Sequence, residues 1–231
     1  MHAATCDLLH FLTSQKAEVF DLSGRVDHRR YLGRGFPLEL PLLVHVQTYP
    51  GYRSMVGENW LHWHDYFEFF VALCGRGEFC IGEERFAFGP GDLVVVEPLK
   101  LHGVLRMEAT HSALVAFFPR SLVSASESPA DEAFLGAWEQ RGTGAARLLA
   151  AGHRRAPEVH EALLQLVESW FSPRQTPEHW MSLKIHLLVM LARLRQALVT
   201  SVGAPSLTNS ERGLREIRLI RVLDFISRHC L

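Results

Sequence analysis

The chain has 231 residues, 48% of them apolar and 21% charged, with 24 Lys and Arg against 25 Asp and Glu. That length suffices for a substantial core in one domain, or in one domain with an appendage. A net charge of −1 gives the whole chain no electrostatic bias toward nucleic acid. The first residues, MHAATCDLLHFLTSQ, show no basic start, long apolar core or small-residue cleavage site, so no export signal is read there. No apolar run is long enough to span a bilayer, and no membrane partner is expected. Cys6, Cys74, Cys80 and Cys230 form no CxxC pair and sit in apolar segments, which suggests reduced, buried thiols in the cytoplasm.

Residues 1–16 are weakly patterned, either loose or a short helix. Short strands and turns follow, the turns at Gly24, Gly33 and Gly35. LPLLVHVQTY, residues 40–49, reads as a strand. The next stretch, GENWLHWHDYFEFFVALCG, is read as one unbroken strand from about Trp60 to Leu73. Residues 62, 64 and 68 share a parity, so such a strand points His62, His64 and Glu68 to one face. Trp63, Phe67, Phe69 and Val71 take the other face, which makes the strand buried on both. Further strands are expected over 78–81, 85–88, 92–97, 102–107 and 111–118, separated by Gly- and Pro-containing turns. This series argues for a small barrel or jelly roll. One of its strands begins with His102.

Three histidines and a glutamate from two strands suit a divalent transition metal, with Zn, Ni, Fe and Mn all compatible. The other reading makes them hydrogen-bonding partners of an organic effector. Trp60, Tyr66 and Phe70 share the parity of these residues and are candidates to line a pocket. Arg106 shares the parity of His102; it either clamps a carboxylate or sugar hydroxyls or sits at an exposed strand end. His45 and His111 read as ordinary half-buried histidines, and Glu97 and Lys100 as members of a solvated bend.

Beyond Pro119 the composition changes. Residues 121–131 are Ser-rich and read as a loop. A helix is predicted over 157–171, with Pro157 at its first position, and another over 177–200, with Thr176 as cap and Pro177 at its start. Trp180, Leu183, Leu187, Met190 and Leu194 recur at steps of three and four, the seam of a short coiled coil. Residues 201–210 have linker composition, and 211–231 form an amphipathic helix whose arginines, interleaved with Glu211 and Glu216, read as a solvated face. No GxSxG, HExxH or phosphate-binding Gly loop is present.

Gly57, His62, His64, Glu68 and Gly75, followed by Gly91, Pro98 and His102, resemble the paired motifs of the cupin superfamily. The second motif departs from the pattern at Leu99 or Lys100, where a glycine is usual, and at Arg106, where an asparagine is frequent. The whole chain resembles the N-terminal sensor part of an AraC-family transcriptional regulator, and LREIRLIRVLDFISRHCL is similar to the first helix of that family's DNA-binding domain. The resemblance implies a mainly β protein with C-terminal α structure: a cupin double-stranded β-helix over 1–120, a helical dimerisation segment over 121–200, a linker over 201–210, and over 211–231 the first helix of a helix-turn-helix domain that is otherwise missing. It further implies a cytoplasmic homodimer. A small polar effector, such as a sugar, or a divalent metal would bind the pocket, and DNA would be bound only through the missing domain. A metal-dependent cupin enzyme of the sugar isomerase, epimerase or dioxygenase type is the alternative, and a metal-storage or metal-sensing module a third.

Overall fold

The structure is a computed structural model that describes residues 2–19, 25–28, 30–49, 57–108, 111–124, 134–135, 138, 147–173 and 176–198. The linker expected over 201–210, the terminal helix over 211–231 and Cys230 lie outside the described residues. Two sheets face each other. The larger contains β1 (Glu18–Val19), β2 (Leu43–Thr48), β3 (Phe67–Cys74), β6 (Leu93–Val96), β8 (Ser112–Phe118) and β9 (Leu148–Leu149), in the order β1-β2-β8-β3-β6-β9. The smaller contains β4 (Gly77–Ile81), β5 (Glu84–Phe88) and β7 (His102–Met107), in the order β5-β4-β7. Four helices are described: α1 (Ala3–Thr13), α2 (Arg120–Val123), α3 (Ala156–Trp170) and α4 (Pro177–Leu198). The architecture is a jelly roll of two sheets followed by helices. Among the described residues no helix is long and apolar enough to cross a membrane.

The central strands β3, β6 and β8 have no solvent face, which is why their sequences are nearly continuous apolar runs. Alternation splits β3 between two cores. Phe67, Phe69 and Val71 pack outward with Leu8 and Leu12 of α1, Leu163 and Leu166 of α3, and Leu183 and Leu187 of α4. Phe70 and Ala72 pack inward with Phe79, Phe88, Val104, Val115 and Phe117 in the space between the sheets. The weakly patterned N-terminus is thus a helix, held by Leu8, Leu12 and buried Thr5, whose Oγ1 lies 2.8 Å from Nδ1 of buried His160.

Several expectations need correction. The strand from Trp60 to Leu73 is broken: Glu58–Trp60 is a 3-10 turn, His62 and Trp63 make isolated bridges, and β3 begins only at Phe67. The Ser-rich segment begins with α2, and the two-residue strand β9 was not foreseen. Glu97 is not solvated but 4% exposed, because Arg147, just before β9, donates from Nε to both of its carboxylate oxygens at 3.0 Å and also pairs with Glu84. Of the cysteines, Cys80 is buried, Cys74 half-buried and Cys6 exposed, and all three are free thiols.

The coiled-coil seam of α4 is also placed differently. Leu183, Leu187, Met190 and Leu194 are each 0% exposed inside the chain's own core, and Trp180 packs partly buried against it. These positions face α3 and the sheet, so a second copy cannot reach them without opening the fold. The exposed apolar stripe of α4 is instead Met181, Ile185 and Val189. We expect Leu187→Ala to lower unfolding free energy by about 2–5 kcal/mol. Urea denaturation should give the same loss at low and high protein concentration; a loss confined to high concentration would return Leu187 to an intermolecular seam.

Candidate metal and ligand site

His62, His64, Glu68 and His102 come together between the sheets, all buried, with one ligand atom from each lying within 4.8 Å of the others. The break after His64 makes this possible. In a straight strand His62 and Glu68 would stand about 20 Å apart, six residues at roughly 3.3 Å each. Instead the chain bends at Asp65 and Tyr66 between the two sheets. His62 bridges His102 at the start of β7 through two backbone hydrogen bonds, 3.0 Å from His62 N to His102 O and 2.8 Å in return. Glu68 lies on β3 of the other sheet, opposite Val96. The Pro98–Lys100 turn is tied to the same bend, since Leu99 N donates to His64 O at 2.7 Å.

Each imidazole is oriented by a carbonyl two residues away. Nδ1 of His62 lies 3.1 Å from Trp60 O, that of His64 2.9 Å from Tyr66 O, and that of His102 2.8 Å from Lys100 O. A carbonyl oxygen only accepts, so Nδ1 carries the hydrogen in all three rings, and the neutral rings offer Nε2 lone pairs. Tyr66 stacks on His64 at 3.9 Å and donates its hydroxyl to Leu32 O, which fixes that ring further.

Those lone pairs meet a carboxylate. Oε2 of Glu68 lies 3.0 Å from His64 Nε2 and 3.2 Å from His102 Nε2. Burial lowers His62 to about 3, with further lowering by His102, and lowers His64 as well. A cation between these groups would satisfy the contacts. One shared proton satisfies a single contact, whereas a divalent ion satisfies three imidazoles and a carboxylate together. The four residues therefore fit a transition metal.

Beside the cluster lies a narrow pocket, lined in part by His62, Glu68 and His102. Trp60, from the 3-10 turn, and Phe70 line it; Tyr66 acts from behind His64. Arg106 does not reach it. Its side chain is 76% exposed and pairs with Glu78 at 3.2 Å. Val104 pairs with Phe79 and Arg106 with Glu78, so Leu105 is an extra residue on β7, and this bulge ends the alternation counted from His102. Three polar lining residues were missed: Arg34, Gln47 and Tyr49. Gln47 and Tyr49 sit at the end of β2 and just beyond it, and Arg34 lies in the irregular segment before it. Their only sequence signal was polarity beside apolar runs. His111 is buried at 2% exposure against Phe70 and Phe88, and His45 is half-buried and pairs with Glu18, so neither joins the cluster.

A family model, the cupin domain, matches residues 54–117. Among solved structures, the AraC-like transcriptional activator CuxR is similar over 79% of this chain at 16% identity, with a TM-score of 0.44. DMSP lyase DddQ from Ruegeria pomeroyi DSS-3 is similar over 33% of this chain at 26% identity and a TM-score of 0.29. Bacillus subtilis oxalate decarboxylase, a protein with Mn(II) centres, is similar over 34% at 22% identity and a TM-score of 0.29. This chain covers 61% of the regulator, 38% of the lyase and 21% of the decarboxylase. No curated protein sequence matches it.

Two outcomes are expected. The purified chain should carry about one divalent transition metal ion, measured by elemental analysis, and His64→Ala should lose it; equal metal in both proteins would remove the cluster as its ligand set. The second concerns the turn before His102, where Leu99 has φ 65. A left-handed residue with a Cβ costs about 1–2 kcal/mol, while a glycine loses about 0.5–1 kcal/mol more on folding. Leu99→Gly should therefore stabilise the chain by about 0.5–1 kcal/mol in urea denaturation, and a destabilised variant would contradict the strain.

Proposed function

We propose that this chain is the effector-sensing and dimerising part of an AraC-like transcriptional regulator. A small ligand and a divalent metal occupy the cupin pocket and control DNA binding by a C-terminal domain. The observation that carries this reading is the double-sided β3. Glu68 and Phe70 face the cavity, while Phe67 and Phe69 on the same strand face the core formed with α1, α3 and α4. A change at the cluster is thus one peptide unit from the helical layer. The metal, when bound, supplies a Lewis-acidic position for a ligand oxygen. His62, His64 and His102 hold fixed Nε2 positions for it, and Trp60 and Phe70 wall the space above.

Dimerisation belongs on the exposed face of α4, through Met181, Ile185 and Val189, since the interior seam is already occupied. Ligand-dependent packing of α3 and α4 then shifts the relative placement of two DNA-binding domains, and helix-turn-helix dimers select sites by half-site separation. The linker reading of 201–210 and the similarity of 211–231 to a first DNA-binding helix favour the same assignment.

The second reading is a metal-dependent cupin enzyme, favoured by the cavity that reaches three of the four donors, His62, Glu68 and His102. Reporter assays with the natural gene product separate the two. In the regulator, His64→Ala abolishes the effector response and Ile185→Asp converts dimer to monomer in sedimentation while leaving metal content intact. An unchanged transcriptional response in His64→Ala, together with turnover of a small substrate by the metal-loaded chain, would replace the regulator by the enzyme.

A further inference from the structure

Arg34 brings the one guanidinium among the described lining residues, and the metal cluster does not use it. Its guanidinium carbon sits 4.1 Å from the centre of the Phe117 ring, at the wall of the cavity. Its Nε is buried and has no hydrogen-bond partner among the described residues. A guanidinium carries a planar fork of donors that matches a carboxylate, and a buried donor left unmatched is costly. The backbone around it is tied to the metal-bearing segment. Leu32 N donates to Trp63 O at 2.9 Å, Tyr66 donates to Leu32 O at 3.1 Å, and Phe36 packs edge-on against Tyr66. Arg34 is therefore held in a constant relation to the segment that carries His62 and His64.

The charges point the same way. Glu68 is the single carboxylate among the described lining residues, and it is committed to the cluster. A divalent ion neutralised by Glu68 alone keeps one positive charge, and Arg34 adds another. The walls between them are Phe70, Phe79, Phe117, Val104 and Val115. Apart from Gln47, Tyr49 and Trp60, such walls give no partners to the hydroxyls that cover every side of a sugar, and desolvating those hydroxyls unpaired is unfavourable.

We infer that the pocket takes a small organic carboxylate, with its carboxylate read by Arg34 and a second oxygen bound at the metal. The ligand has a short apolar body that fills the aromatic walls. The inference rests on the metal-binding, ligand-sensing reading above and narrows its effector from small polar molecules to organic acids.

Isothermal titration of the full chain loaded with Mn²⁺ tests it, with pyruvate, L-lactate and malonate as probes and L-arabinose and D-glucose as neutral comparators. Metal content is measured on the same samples. The expected result is saturable binding of at least one acid and none of the sugars. Arg34→Gln should weaken the acid at least ~30-fold with unchanged metal content, the scale of a lost charged hydrogen bond. Arg34→Lys, which keeps the charge and loses the fork, should fall between, and it carries the test if Arg34→Gln does not fold. Arg106→Gln, at the exposed strand end, should bind as the unaltered chain does. Binding of a sugar but no acid, or equal acid affinity with and without Arg34, overturns the inference while leaving the metal site standing. A chain that takes up no Mn²⁺ overturns the metal reading, and this inference with it.

Discussion

Three imidazoles and one carboxylate are buried with their lone pairs aimed at a common point, and most of the local structure serves that arrangement. Each Nδ1–H is committed to a carbonyl two residues away in sequence, at Trp60, Tyr66 and Lys100. The rings therefore cannot turn their hydrogens inward to relieve the repulsion. A cation at the centre would do so, and a divalent ion would do it for all four donors. The 3-10 turn at Glu58–Trp60, the bend at 65–66 and the turn at 98–100 provide those carbonyls or are tied directly to the residues that do.

The same strand that brings Glu68 to this point also joins two separate cores. β3 is covered on one side by the second sheet and on the other by α1, α3 and α4. A protein with a pocket on one face of a sheet and a helical layer on the other can transmit occupancy through close-packed side chains, because such interiors shift as units rather than deform gradually. Arg34 adds a third connection, since its segment is bonded to Trp63, between two of the clustered histidines. The proposed sensor thus has ligand, metal and helices meeting along one short run of chain.

The outcome for individual residues shows where one-dimensional reasoning holds. Parity placed Glu68 and Phe70 inward and Phe67, Phe69 and Val71 outward, because alternation is a local property of extended backbone. The same argument failed at Arg106, where one extra residue on β7 resets the count. It also failed to explain the convergence of His62 with Glu68, which a straight strand would have kept far apart. Helical spacing identified the buried face of α4 correctly but not what covers it. Periodicity states that a face is apolar, and the layer beneath decides whether an intramolecular partner already fills it. Arg147 over Glu97 and Arg34 in the cavity escaped for a related reason: each meets its partners across long stretches of chain with no periodic signature.

By itself, the sequence determined the order and type of most elements, the jelly-roll class, the faces of the regular strands and the four metal-ligand candidates. These follow from backbone periodicity, turn chemistry and residue type, which act over a few residues. Only the tertiary structure decided that the donors converge, which nitrogen each histidine presents, that the α4 seam is interior, and that Arg34 rather than Arg106 reaches the cavity. Those outcomes depend on how two sheets and a helical layer close upon one another, and on a bulge and a bend whose energies are settled by packing rather than by local preference.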